Sequence, residues 1–125
     1  MHASPHYHEA LWFLIRWPEL DRAADLVVTR SAELDGDLYH ILVPAAEALE
    51  AKHPLAATLV RRALIDFTLA AARSTRYRHA ARHLLECQGL AGQIADFGAF
   101  ETHEAYRARL KVEHGRKASF WSLLD

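Results

Sequence analysis

Apolar residues along the chain recur three and four positions apart, with no sustained alternation of apolar and polar residues. That spacing places them on one face of an α-helix and argues against strands. One local pattern appears four times: two alanines, two further residues, then Leu or Val. Its copies are Ala23-Ala24 with Val27, Ala45-Ala46 with Leu49, Ala56-Ala57 with Val60 and Ala80-Ala81 with Leu84. The second Ala and the branched residue share a helical face. A small residue there admits a neighbouring helix closely, and the branched one fills the space beside it.

The pattern and its punctuation predict six or seven helices. Ser4-Pro5 reads as an N-cap and first helical residue, opening a helix to about Arg16. Trp17-Pro18 breaks that helix, and Pro18 opens a second, to about Ala32, before the turn signal Asp35-Gly36-Asp37. A third runs from Leu38 to about Lys52, where Pro44 either kinks it or begins its regular part and leaves the His40 carbonyl without a backbone donor. His53-Pro54 starts a long fourth helix, Leu55 to about Arg73. A fifth spans Arg76 to about Gln88, stopped by Gly89. Residues 89–100 are expected to hold a short helical piece. Thr102 caps a sixth helix that ends at Gly115, and Ser119–Leu124 forms a last apolar turn. Short connections imply antiparallel neighbours. The Ala pairs at 45/46 and 80/81 lie 35 residues apart, close to the tetratricopeptide period of ~34. The expected fold is all-α, with antiparallel helix pairs stacked in a tetratricopeptide-like array; a non-repeating bundle is the alternative.

Composition agrees with helices. Ala occupies 23 of 125 positions, while Gly (5) and Pro (4) are few. The length suits a single domain. Acids (16) and bases (15) nearly cancel, so no chain-wide attraction to nucleic acid or anionic membrane is expected. One cysteine, Cys87, forbids an internal disulfide and fits a reducing compartment. The longest apolar run near the start, Ala10–Ile15, is too short to span a bilayer. A cytoplasmic protein is the expectation. The excess of Arg (12) over Lys (3) is compatible with a GC-rich bacterial genome.

Charge is unevenly spread, and this raises the candidate chemistry. Residues 19–50 carry eight acids and two bases; residues 61–82 carry six arginines and one acid, Asp66. A ridge of Arg61, Arg62, Arg73, Arg76, Arg78 and Arg82, with Tyr77 and His79, would offer forked donors to an acidic group. It would equally pair with the acidic helices of its own domain or be solvated. His79, His83 and Cys87 recur every fourth residue and supply ligand types suited to zinc. His40 or His53, brought in by the neighbouring helix, is a candidate to join them. The competing reading makes Cys87 a small buried apolar group. His2, His6 and His8 are expected to lie on a solvated terminus. The C-terminal run from His114 to Leu124 is either a docking segment or the closure of the helical stack by Phe120, Trp121 and Leu124. No Gly-x-Ser-x-Gly elbow and no Gly-rich phosphate loop occurs.

Three segments carry a family resemblance: HEALWFLIRWPELDRAADLV, PAAEALEAKHPLAATLVRRALIDFTLAAARSTRYRHAARHLLEC and HEAYRARLKVEHGRKASFW. They resemble an uncharacterised bacterial family, a domain of unknown function, and are similar to the helical region C-terminal to SWIM zinc fingers in bacterial proteins. The resemblance implies a tetratricopeptide-like array and transfers no activity, cofactor or functional residue. The SWIM ligands do not occur here. Members of the family are often longer, so this chain is expected to form the C-terminal part of that architecture. An apolar face at Leu11, Trp12 and Ile15 would then favour self-association. The leading expectation is a non-enzymatic scaffold, without cofactor, that binds a protein or peptide along Arg61–Arg82. The alternatives are a metal-binding protein using His79, His83 and Cys87, and a nucleic-acid binder using the arginine ridge.

Overall fold

Pro54, pre-set for a first helical turn, opens the longest helix, and that helix organises the rest. The structure, a computed structural model, describes residues 5–17 and 19–124. Among these it holds seven α-helices and no strand: α1 Pro5–Arg16, α2 Leu20–Thr29, α3 Tyr39–Leu49, α4 Pro54–Ala70, α5 Tyr77–Ala91, α6 His103–His114 and α7 Ala118–Trp121. Single 3-10 turns lie at Ser31–Glu33 and Ser74–Arg76. None of these helices is long and apolar enough to cross a membrane. The expected Ser4 cap, Pro18 helix start and His2 lie outside the described residues.

Helix α4 packs against α2, α3 and α5. Its neighbours Leu64 and Ile65 belong to different halves of the core. One half gathers Leu11, Val27, Leu42, Leu49 and Val60; the other gathers Leu69, Leu84, Tyr106, Leu110 and Phe120. Every alanine of the four repeated pairs is buried, as are Val27, Leu49, Val60 and Leu84. The small-residue pattern therefore marks helix contacts, as its spacing predicts. Thr102 caps α6, its hydroxyl accepting from the Ala105 N–H at 3.2 Å.

Several expectations are corrected. Gly89 does not stop the fifth helix, which continues to Ala91. It sits on an exposed face where a missing side chain costs only propensity. Residues 92–102 hold turns rather than a helical piece. Pro44 lies inside α3, which is already helical from Tyr39, so the His40 carbonyl loses its donor without ending the helix. Helix α4 stops at Ala70, and Ala72 takes a left-handed conformation, φ 53°, that turns the chain towards α5. His8 is not solvated: it is buried, and its Nε2 accepts the Asp35 N–H at 3.1 Å. Leu11 is fully buried and Ile15 half-buried, so the exposed apolar surface of α1 consists of Trp12 and Phe13, joined by Trp17 just beyond it. Phe120 and Trp121 are buried in the second half of the core, where α7 packs on α5, with Trp121 Nε1 donating to the His114 carbonyl at 2.9 Å.

Candidate functional site

Consecutive helical residues point about 100° apart, and Arg61 and Arg62 on α4 follow that rule to different sides of the helix. Both are buried, so the sequence pair is not one exposed ridge. Arg61 forms the floor of a cleft of about 720 Å³ walled by α3 and α5. Its Nη2 donates to Glu50 Oε2 at 2.8 Å and its Nη1 to His83 Nδ1 at 2.9 Å. Because a guanidinium has no acceptor, His83 must accept at Nδ1 and carry its proton on Nε2. Burial first, and then the Arg61 charge, lower the His83 pKa to about 4. A neutral imidazole with a fixed tautomer thus lies in the cleft wall.

Two ends of the cleft differ in charge. Tyr39, His40, Arg76 and His79 lie at the N-terminal ends of α3 and α5; Glu47, Glu50, Arg82 and Glu86 lie further along. The Arg76 guanidinium stands 4.9 Å from the Tyr39 ring centre and 3.8 Å from Asp37. Arg82 is exposed, 3.9 Å from Glu86 on its own helix.

Of the residues chosen from the sequence, Arg61, Arg76, His79, Arg82 and His83 line this one cleft. The others do not. Arg62 belongs to a second cleft. Tyr77 is buried against Phe120, ring centres 6.0 Å apart, and Arg78 is exposed away from the cleft lining. Arg73 lies over Phe67 at 5.1 Å and 3.6 Å from Asp37. The arginines therefore fan around two helices, and Arg61, Arg73 and Arg76 face acids of the preceding segment. His79, His83 and Cys87 are not brought together. Among the described residues, no three His, Cys, Asp or Glu side chains converge as a metal ion requires. Cys87 is buried, its Sγ 3.9 Å from the Thr58 carbonyl, and burial pushes its thiol up to about 12. His53 instead pairs with Asp21 at 2.8 Å.

The second cleft, about 800 Å³, lies between α4, α6 and residues 31–36. The Arg62 guanidinium stands 4.6 Å from the Tyr106 ring centre and 5.7 Å from that of Phe97, and Nη2 donates to the Glu101 carbonyl at 2.8 Å. The Tyr106 hydroxyl donates to Asp66 Oδ1 at 2.7 Å. Burial raises the Asp66 pKa against the lowering effect of that bond. The sequence reading missed this cluster, because Asp66 and Tyr106 lie 40 residues apart and share no motif. Its only local signal is a lone acid among arginines.

No curated protein and no solved structure matches this chain. A family model described as a family of unknown function (DUF6880) matches residues 1–123. The all-helical chain with its α4-centred core thus belongs to that family of unknown function.

Proposed function

We propose that the protein is a non-enzymatic helical-repeat scaffold, built as tetratricopeptide-like stacked helix pairs, that holds a segment of a protein or peptide partner in the α3–α4–α5 cleft. The observation that carries this reading is the cleft itself, which mixes apolar and charged lining, differs in charge between its ends and is floored by Arg61, held by Glu50 and His83. Arg76 and His79 suit an acidic side chain of the partner, while Glu47 and Glu86 suit a basic one. The His83 Nε2–H supplies a neutral donor to a backbone carbonyl between them.

Selection of peptides from a random displayed library tests the reading. Enriched sequences should carry an acidic residue. Arg76→Glu combined with Arg82→Glu should weaken them about tenfold or more, and added salt should weaken the wild-type complex. A library that yields no enriched peptide, or peptides indifferent to the charge reversal, overturns it.

A further inference from the structure

Arg62 presents a problem that Arg61 does not. It is 6% exposed, yet among the described residues its guanidinium makes one hydrogen bond, to a backbone carbonyl, and no ion pair. Its Nε is buried without a partner, as is that of Arg61, so the missing ion pair is what sets Arg62 apart. Buried charges are ordinarily paired, because removing a cation from water costs several kcal/mol. The surrounding acids are engaged elsewhere. Glu101 holds Arg109 through both oxygens, at 3.0 and 3.2 Å, and Asp66 takes the Tyr106 hydroxyl. Asp35 accepts the Asp37 N–H, and Glu33 holds Arg30. The cleft beside Arg62 has these acids and Arg109 in its lining, and with them the apolar side chains of Leu34, Leu59, Phe67 and Phe100. Its volume suits a small organic molecule.

We propose that this second cleft binds a monoanionic carboxylate on an apolar body, with Arg62 as its charge partner. The guanidinium fork matches a planar carboxylate, and the apolar wall takes the body. A phosphate dianion fits worse, because Asp66 and Glu101 lie beside the same cation. The carboxylate belongs either to a free small acid or to the C-terminus of a peptide ending in an apolar residue. The site lies on a different side of α4 from the peptide cleft, so either reading stands or falls alone.

Phenylacetate, phenylacetamide, inorganic phosphate and a short peptide acid ending in Phe are titrated into labelled full chain, read by amide shifts. Phenylacetate should bind saturably, with shifts at Leu34, Arg62 and Phe100, and phenylacetamide should bind at least ~10-fold more weakly. Arg62→Gln should abolish the preference for the acid. Ala99→Trp, at an exposed position on the rim, should block binding without touching the buried charge. A tighter peptide acid assigns the source to a chain terminus, and a tighter phenylacetate to a free acid. Equal binding of acid and amide, a preference for phosphate, or binding unaffected by both variants overturns the assignment.

Discussion

His83 shows what a single hydrogen bond decides. Because Arg61 can only donate, the imidazole must stay neutral in the fold, and its pKa sits near 4 against about 6.5 unfolded. The sign follows: a histidine lowered by folding stabilises the protein above its unfolded pKa, and that stability drains away as pH falls from about 6.5 to about 4. The loss is on the order of 2–3 kcal/mol for such a shift. Denaturant titrations at several pH values should show this acid limb, and His83→Gln, which keeps an acceptor for Arg61 and cannot titrate, should flatten it. An unchanged limb in the variant would place the acid sensitivity elsewhere. The bond from Arg61 to His83 was not legible in the sequence, where a ligand stripe of His79, His83 and Cys87 was one reading and a buried, apolar Cys87 the other; the burial is what the structure has. Side chains four apart share a helix face, but burial of Cys87 and the reach of Arg61 from another helix separate them.

Helix existence was legible, and helix ends were less so. Alanine pairs and branched partners located the contacts of α2, α3, α4 and α5, because close packing demands small residues at fixed spacing. Punctuation by glycine failed at Gly89, where no backbone requirement acts: a Cβ added there would meet nothing within 4 Å. Gly89→Ala should therefore stabilise the protein by about 0.5–1 kcal/mol, read as a rise in thermal midpoint. Gly36 is the reverse case. A Cβ there would stand 2.5 Å from the Phe67 Cβ and closer still to the Ala63 carbonyl oxygen, so the turn after α2 approaches α4 through the missing side chain. Gly36→Ala should lower the midpoint by several degrees, corresponding to about 1–3 kcal/mol of overpacking. A stabilised Gly36→Ala would contradict the close approach.

At the scale of the whole molecule, α4 contributes to both halves of the core and separates two clefts. The halves meet at Leu64 and Ile65, so they should melt together. Phe120→Ala in one half and Leu42→Ala in the other should each cost about 2–5 kcal/mol and shift one common transition. Two resolved transitions would mean that α4 does not couple them. The arginine-rich segment was visible in the sequence as charge, yet its division between clefts depends on where each residue falls around α4 and α5. If the α3–α4–α5 cleft is the partner-binding surface, a display-selected acidic peptide must perturb the residues that line it. Amide shift mapping with such a peptide should show changes concentrated at Tyr39, His40, Arg76, His79 and His83, lost in the Arg76→Glu, Arg82→Glu double variant. Shifts centred on Arg62 and Phe100, or on the exposed aromatics of α1, would place the partner elsewhere and remove the cleft from its proposed role.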